Sequence, residues 1–294
     1  MERIRLRRAG AEAALTTRGA QITSYIGPDG RQAIWQADPA VWPQYGPVLF
    51  PVCGAVRGGR LNIGGVSYPM TKHGFAAEAD FAVARQTETE ADLLLTPSPE
   101  TRAQYPFDFA LHVIYRLEES GFSCTLRAEN HSDKTMPLCL GAHPAFTCPM
   151  EVGATFDDYQ LVFEQPETGL STLVHAGGLV GGEERLPLRD GRVLPLSHAL
   201  IDPRDTLLFA GLNSRSVDLV HRRTGRGLRF RFFGMEVLAV WSMPCANADY
   251  LCLEPWHGLP GRVQDGDDFE QKPYVTLLQP GGAYAAGYAV QPVE

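Results

Sequence analysis

The sequence predicts an all-β protein that forms one large antiparallel β-sandwich, as a single domain over residues 1–294. Apolar and polar residues alternate with a period of two in several segments, and no segment shows a clear helical periodicity. The 30 glycines and 22 prolines recur at short intervals, which favours many turns over long helices. No low-complexity linker divides the chain, and 44% of its residues are hydrophobic, so one large core is predicted ahead of two all-β domains.

The clearest predicted element is a β-hairpin formed by residues 109–117 and 122–128. In FALHVIYRL, every second residue from Phe109 to Leu117 is apolar, so these side chains share one face. FSCTLRA follows after the short turn EESG, and its apolar residues also alternate with polar ones. This pattern is typical of two adjacent strands that each bury one face.

Two later segments also predict paired strands around turns. Residues 217–233, VDLVHRRTGRGLRFRFF, contain a glycine turn between two alternating runs. Residues 274–290, YVTLLQPGGAYAAGYAV, are interpreted as two closing strands around a Pro-Gly turn. Residues 164–196 are rich in glycine, proline and charge, and we expect them to form a long connection and not a domain boundary.

Charge and composition narrow the choice of partner. The net charge of −8 and the pI near 5.5 argue against a nucleic acid or an anionic membrane, because both would be repelled. No apolar run reaches the roughly 20 residues that a membrane-spanning helix needs, and we expect no export signal, because the basic N-terminal residues are not followed by an apolar segment of sufficient length. The six cysteines form no CxxC pair, and most lie in apolar segments, which suits a reducing compartment. We therefore expect a cytoplasmic protein whose partner is a neutral or weakly charged small molecule.

The chemistry that the sequence offers is that of histidine and carboxylate. There is no GxGxxG, GxxxxGK[ST], GxSxG or HExxH motif, so dinucleotide, P-loop, serine-hydrolase and zinc-protease chemistries have no support. His143 in LGAHPAF and Glu254 in LCLEPWHG each follow an apolar run and directly precede a proline. A residue before proline is held extended, and proline cannot donate to a sheet, so both side chains are predicted to stand where strand pairing ends. Partial burial there raises the pKa of a carboxyl group and makes it a usable base.

Each of these residues alone has an ordinary structural explanation. A single histidine in an apolar strand is usually a hydrogen-bonded structural residue, and a glutamate before proline is often a loop carboxylate. The matched pair is harder to explain in this way. His73 is a third candidate, because Gly74 follows it and leaves room for a ligand close to the backbone.

Three blocks of sequence resemble the aldose 1-epimerase (galactose mutarotase) family, most closely its LacX-like branch. They are GPVLFPVCGAVRGGRLNIGGVSYPMTKHGF, LGAHPAF and LCLEPWHG, and they occur in the order that the family shows. The similarity extends from about Gly46 to the last predicted strand. It implies a large antiparallel supersandwich with a sugar cleft on one sheet, and neither a cofactor nor a metal.

The resemblance also implies roles for individual residues in converting one anomer of an aldose into the other. Glu254 would be the base that removes the proton of the C1 hydroxyl, and His143 the acid that protonates the ring oxygen. His73 would assist through hydrogen bonds to the sugar. Asp205, with Asp202 as the competing position, resembles a hydroxyl-binding aspartate, and Trp256 would offer an aromatic face to the sugar or else cap the core.

One position departs from the family pattern. Relatives usually carry arginine directly after the glycine in the segment CGAVRGGRL, where this chain has Ala55. Arg57 is the first candidate to reach the same sugar oxygen, with Arg60 as the second. Without either, the affinity or preference for the sugar would differ.

Three alternatives remain open at this point. The first is a carbohydrate-binding or regulatory protein without activity on the same fold, since a fold does not certify an activity. The second is a hexose-6-phosphate epimerase that binds phosphate through HRRTGRGLRFRF, although Arg229 and Arg231 alternate with apolar residues as on a solvated strand face. The third is a metal site, for which candidate ligands are His73, His143, His257 and Glu254.

Overall fold

The computed structural model describes residues 2–264, 266 and 268–294, and they confirm the all-β class. The strands of this part of the chain are β1 (Arg3–Arg8), β2 (Ala11–Thr16), β3 (Gln21–Ile26), β4 (Val48–Leu49), β5 (Arg60–Ile63), β6 (Val66–Pro69), β7 (Ala82–Gln86), β8 (Glu90–Leu95), β9 (Phe109–Leu117), β10 (Phe122–Asn130), β11 (Met136–Leu138), β12 (Leu140–Ala142), β13 (Ala145–Thr147), β14 (Tyr159–Phe163), β15 (Leu170–Val174), β16 (Val180–Arg185), β17 (Val193–Pro195), β18 (Thr206–Ala210), β19 (Ser216–His221), β20 (Gly227–Phe233), β21 (Val237–Trp241), β22 (Tyr250–His257), β23 (Thr276–Leu278) and β24 (Ala283–Val293). The α-helices described are single turns, α1 (Pro99–Arg102) and α2 (His198–Ile201). Short 3₁₀ turns occur at Arg57–Gly59, Ala76–Glu78, Phe156–Asp158, Asp202–Arg204 and Phe269–Gln271.

Two large antiparallel sheets form the sandwich. The nine-stranded sheet has the order β17-β14-β19-β20-β24-β10-β9-β8-β7. The second sheet has the order β16-β15-β18-β21-β22-β12-β4, and β13 also pairs with β22. Aromatic contacts join the sheets, for example between Phe146 and Phe230 and between Phe163 and Phe209. The main hydrophobic cluster includes residues from Ile4 to Val290, so it draws on nearly the whole chain.

The predicted hairpins at residues 109–128 and 217–233 are confirmed. β9 and β10 pair in antiparallel register from Phe109 opposite Asn130 to Leu117 opposite Phe122, and buried residues alternate along both strands. β19 and β20 pair in the same manner around the glycine turn. The period-two pattern located these strands because each buries one face against the core.

Two sequence interpretations are corrected by the structure. Residues 164–196 do not form a long connection, because β15 and β16 form a hairpin there and β17 pairs with β14. The turn between β15 and β16 uses Gly177 and Gly178, both with positive φ, so the glycines that suggested a loop instead make a tight hairpin possible. β23 and β24 do flank the Pro-Gly turn, but β23 pairs with β11 and β24 pairs with β10 and β20.

Among the described residues, no helix is long and apolar enough to cross a membrane. The six cysteines are free, and all except Cys245 are buried.

Candidate active site

Glu254 lies in the middle of the second sheet and not at the end of a strand, as the sequence pattern suggested. β22 continues through Pro255, which stands opposite Leu238 of β21. The N–H of Leu253 bonds to the carbonyl of Pro144. Backbone N–H groups two residues apart in a strand point to the same side, so Pro255, which has no N–H, would have had to donate on this side as well. On that side the neighbouring chain is broken between β12 and β13, and the proline therefore interrupts pairing there without ending β22.

The break between β12 and β13 holds His143 and Pro144. Its irregular backbone brings the imidazole against Glu254, and His143 Nε2 lies 3.2 Å from Glu254 Oε2. Glu254 is 1% exposed and His143 is 8% exposed. Apart from this contact, Glu254 Oε2 has no hydrogen-bond partner in the described part of the protein, and His143 Nδ1 has none there. Buried polar atoms are rarely left unsatisfied, so these two are available to a bound molecule.

Burial acts against charge on both members of the pair. It raises the pKa of Glu254 well above its ordinary value, although the Lys72 ammonium pulls in the opposite direction. It lowers the pKa of His143 to about 3. Burial therefore favours the state in which the pair holds one proton, as a neutral carboxyl group beside a neutral imidazole, over the ion pair.

His73 is held beside the pair by a strained and hydrogen-bonded backbone. Its φ of 68° lies in the left-handed region, and its N–H bonds to the carbonyl of Gly54. The N–H of Gly54 in turn donates to His73 Nδ1 at 3.1 Å. Burial keeps the pKa of His73 well below its ordinary value, so the neutral ring carries its proton on Nε2. This nitrogen is a donor for a ligand, and the ring lies 5.7 Å from that of His143.

An aromatic cluster holds the imidazole of His143. The ring of Trp42 lies 5.1 Å from it, and that of Trp241 meets it edge-on at 5.6 Å. Trp42 also stacks on Tyr250 from β22. Because tryptophan and tyrosine are large and rigid, these contacts fix the orientation of His143 before any ligand binds.

The segment that carries Trp42, residues 42–47, is hydrogen-bonded to the backbone of His143. The N–H of His143 bonds to the carbonyl of Pro47 at 3.1 Å. Gly46 has φ of 138°, and a Cβ there would lie 2.6 Å from the carbonyl oxygen of His143. Only glycine permits this close approach without a shift of the backbone.

These residues line a cavity of about 400 Å³, which we call the main cavity. Its volume is within the range of small-molecule sites. The side chains with polar or aromatic character that line it are Trp42, Gln44, Thr71, Lys72, His73, Glu78, His143, Thr206, Trp241, Glu254 and Trp256. No arginine contributes to this lining among the described residues.

Four of the six candidate site residues line the main cavity. Glu254, His143, His73 and Trp256 line it, and the buried indole Nε1 of Trp256 has no hydrogen-bond partner in the described part of the chain. Asp205 lies instead in an adjoining cavity, with an exposed side chain and a positive φ of 59°.

Arg57 is placed outside the main cavity. Its guanidinium donates to the carbonyls of Arg262 and Val263 at 2.7 and 3.0 Å. Arg60 is also occupied elsewhere, because it donates to the side chain and carbonyl of Ser67 on β6. Sequence reasoning missed Lys72, the cation at the cavity, although it directly precedes His73 in TKHG.

Arg229 and His257, each part of one alternative interpretation, lie apart from this site. Arg229 is on the nine-stranded sheet and pairs with Asp218 through two contacts of 2.7 and 2.8 Å. His257 points away from Glu254, and its two ring nitrogens contact Glu236 at 2.7 Å and Thr276 at 2.8 Å. The four candidate metal ligands named from the sequence therefore do not converge, although Cys252 lies with His143 and Glu254 in a group whose donor atoms are within 4.8 Å of one another.

Fold and site together define a class of protein: a large antiparallel β-sandwich with a buried carboxyl–imidazole pair at the base of a small-molecule cavity. A family model for aldose 1-epimerase matches residues 2–275. The chain therefore belongs to the aldose 1-epimerase family.

Individual relatives support this assignment. The plasmid-encoded protein LacX of Lactococcus lactis subsp. lactis is 33% identical over 272 residues, which cover 90% of each chain. A structure of a galactose mutarotase related enzyme from Lactobacillus acidophilus has a TM-score of 0.92 and 26% identity, covering 100% of this chain and 98% of that chain. A galactose mutarotase-like protein from Lactobacillus casei has a TM-score of 0.92 and 27% identity, covering 99% of this chain and 100% of that chain. These structures share the sandwich fold.

Proposed function

We propose that the protein is an aldose 1-epimerase, an isomerase that interconverts the α and β anomers of a free aldohexose by opening and closing the ring. The observation that carries the proposal is the pair formed by Glu254 and His143, which are 3.2 Å apart and buried at the base of the main cavity. Interconversion needs a group that takes a proton from one sugar oxygen and a group that gives a proton to another. A carboxyl–imidazole pair that shares one proton meets this need without a cofactor or metal.

The reaction follows from the atoms of the pair. Glu254, as carboxylate, takes the proton of the C1 hydroxyl, and His143, as imidazolium, gives a proton to the ring oxygen O5. The C1–O5 bond breaks while O1 becomes the aldehyde oxygen. Rotation about C1–C2 presents the other face of the aldehyde, O5 re-forms its bond to C1, and both protons return. The pair holds one proton at the start and at the end, so the reaction is reversible and leaves no net change in charge.

The sugar itself helps to prepare the charged form of the pair. In the empty site, burial favours a protonated Glu254 beside a neutral His143. Sugar hydroxyls that donate to the carboxylate favour transfer of this proton to His143. The Lys72 ammonium lowers the pKa of both groups. His73 Nε2–H and the indole N–H of Trp256 are the further donors for O5 and neighbouring hydroxyl groups. Asp205 is proposed to accept hydrogen bonds from sugar hydroxyls nearer the opening.

Polarimetry of freshly dissolved α-glucose and α-galactose, with and without the protein, tests the activity. We expect Glu254→Gln to lower the catalysed rate by about 10²- to 10⁴-fold, the usual contribution of a positioned acid or base. Glutamine resembles the protonated glutamate that burial favours, so the fold should be retained, as circular dichroism can verify. Glu88→Gln, in an exposed turn between β7 and β8, is the matched control. An unchanged rate in Glu254→Gln would exclude Glu254 as the base.

A sugar-binding protein without activity is the second candidate. It is favoured by the lack of an arginine among the described residues that line the main cavity, because this leaves fewer groups to orient the ring. Calorimetric binding of glucose or galactose with no acceleration of mutarotation for either sugar would support this candidate over the enzyme.

A further inference from the structure

A cysteine lies beside the buried pair on the same strand. Cys252 is two residues before Glu254 on β22, so the two side chains leave the strand on the same face. Cys252 is fully buried and is not in a disulfide. His143, Cys252 and Glu254 each offer one ligand atom, and these three atoms lie within 4.8 Å of one another. The proposed acid–base reaction uses no thiol, so it gives Cys252 no role.

The imidazole and the carboxyl group present atoms that can bind a cation. His143 Nε2 and Glu254 Oε2 are 3.2 Å apart, and Oε2 has no further partner in the described part of the chain. His143 Nδ1 is buried without a partner there. A neutral imidazole carries its proton on one nitrogen only, so a proton on Nδ1 leaves the lone pair of Nε2 facing the carboxyl group. A proton or a metal ion between these two atoms stabilises this arrangement.

The spacing of the donor atoms is compatible with a zinc ion. Zinc binds sulfur at about 2.3 Å and nitrogen or oxygen at about 2.0–2.2 Å, usually in a tetrahedron. These lengths place nitrogen and oxygen ligands about 3.4 Å apart, and sulfur about 3.6 Å from either of them. The separation of 3.2 Å between His143 Nε2 and Glu254 Oε2 is close to the first value. The limit of 4.8 Å for the group means that the sulfur has to move by at most about 1.2 Å, which a rotation of the Cys252 side chain can supply.

Charge and donor type also favour zinc over other cations. With Glu254 as carboxylate and Cys252 as thiolate, a divalent ion forms a complex without net charge, which lowers the cost of burial. Both groups release their protons to the solvent when the ion binds. The charges of Lys72 and Asp205 act on Glu254 in opposite directions and so partly cancel. Thiolate and imidazole ligands favour zinc, whereas magnesium and calcium prefer oxygen ligands.

His73 lies nearby but is not a ligand in this arrangement. Its Nδ1 accepts the N–H of Gly54 at 3.1 Å, so its own proton is on Nε2, which offers a donor and not a lone pair. The ion would thus have three protein ligands and one open coordination position. Since His143 and Glu254 line the main cavity, this position is reached from the cavity.

We propose that a zinc ion binds to His143, Cys252 and Glu254 from the main cavity and excludes the sugar, so that zinc is a competitive inhibitor and not a cofactor. The bound ion would occupy the lone pairs of the two groups that exchange protons with the sugar. The inhibition rests on the proposed function, whereas the metal site itself does not.

Metal binding to chelator-treated protein tests the site without any sugar. We expect calorimetry to show one tightly bound zinc ion per chain, and magnesium not to compete with it. Cobalt in place of zinc should give the near-ultraviolet absorption of a thiolate–cobalt bond. Cys252→Ser should remove this absorption and weaken zinc binding at least about 100-fold, because even the indirect partners of metal ligands contribute about 10- to 100-fold. Cys252→Ala serves in its place if circular dichroism shows that a buried serine disturbs the fold.

The matched control is the exposed cysteine of the chain. Cys245→Ser should keep both the zinc affinity and the cobalt absorption, because Cys245 is not part of the group. Glu254→Gln should weaken zinc binding as Cys252→Ser does, since a neutral amide replaces the carboxylate. Zinc binding that neither Cys252→Ser nor Cys252→Ala changes would place the ion elsewhere and overturn the inference.

Polarimetry connects the site to activity, with each variant compared with its own zinc-free rate. We expect zinc to raise the KM for the sugar without changing kcat, and Cys252→Ser to need at least about 100-fold more zinc for the same effect. Acceleration by zinc, or equal inhibition by magnesium, would overturn the inference. Mutarotation that zinc does not affect would reject the inhibitory site and keep the enzymatic proposal. Zinc binding that depends on Cys252, without accelerated mutarotation of any sugar, would support the metal site and reject the epimerase.

Discussion

The protonation of the buried pair predicts that activity is retained when the pH falls from 7 to 5. The working state holds one proton between Glu254 and His143, and a second proton binds only when the pH falls toward the pKa of about 3 for His143. With an ordinary pKa near 6.5, only about 3% of the imidazole beside a protonated carboxyl group would be neutral at pH 5, and the rate would drop about 30-fold. With a pKa of about 3, about 99% remains neutral at pH 5.

The two pKa shifts, down for His143 and up for Glu254, widen the expected pH range of activity on both sides. A lowered pKa for His143 moves the loss of activity on the acid side to lower pH. A raised pKa for Glu254 means that the last proton of the pair is lost at higher pH than for an ordinary glutamate. Activity should therefore decline on the alkaline side as Glu254 loses its proton, because no acid then remains to protonate O5.

The assay is polarimetry of kcat/KM between pH 4.5 and 8, with the buffer-catalysed rate subtracted at each pH. Nitrogen NMR of labelled imidazole reports directly whether His143 is neutral at pH 5, and circular dichroism at pH 5 confirms that the protein is folded. His131→Gln, an exposed position, should leave the profile unchanged. A loss of activity on the acid side centred near pH 6.5 would refute the reasoning, since it would mean that burial does not lower the pKa of His143.

Three substitutions test the surroundings of the pair. Lys72→Met should move the alkaline loss of activity to higher pH, because the ammonium group lowers the pKa of Glu254; an unchanged pH–rate profile at low ionic strength would contradict this. Gly46→Ala should destabilise the protein by roughly 1–3 kcal/mol in urea unfolding and lower kcat, because its Cβ and positive φ conflict with the backbone of His143. Trp42→Ala should lower the free energy of unfolding by about 3–5 kcal/mol and reduce kcat more than it changes KM, with Trp42→Phe restoring most of both.

Local patterns in the sequence were sufficient for much of the fold. The β9–β10 and β19–β20 hairpins were predictable because each strand buries one face and each turn is short. His143 and Glu254 were also singled out by the sequence, since both precede a proline, and the fold places them in contact. The pattern did not show that Pro255 lies within β22, because the break that accommodates it lies in the chain around Pro144, more than a hundred residues earlier.

Features that depend on distant contacts were not predictable. Trp42 lies in a loop with no periodicity, and its contacts with His143 and Tyr250 exist only once the segments have packed together. The same holds for β23, whose partner β11 is far away in sequence. Arg57 was the first candidate for the cavity from its sequence position, but its guanidinium donates to the carbonyls of Arg262 and Val263.

The structure also changes how we interpret Ala55, which stands where the family pattern has arginine. From the sequence, alanine in place of arginine suggested a changed affinity or preference for the sugar. In the fold Ala55 is buried, and a Cβ on Gly178 would lie 3.0 Å from its methyl group, so this position leaves little room for a longer side chain directed the same way. The cation near the pair is instead Lys72, which approaches from the mouth. The charge that acts on the buried pair therefore comes from Lys72 and not from a residue directly after Gly54, so the departure at position 55 changes which side chain supplies the cation and leaves the pair of His143 and Glu254 in place.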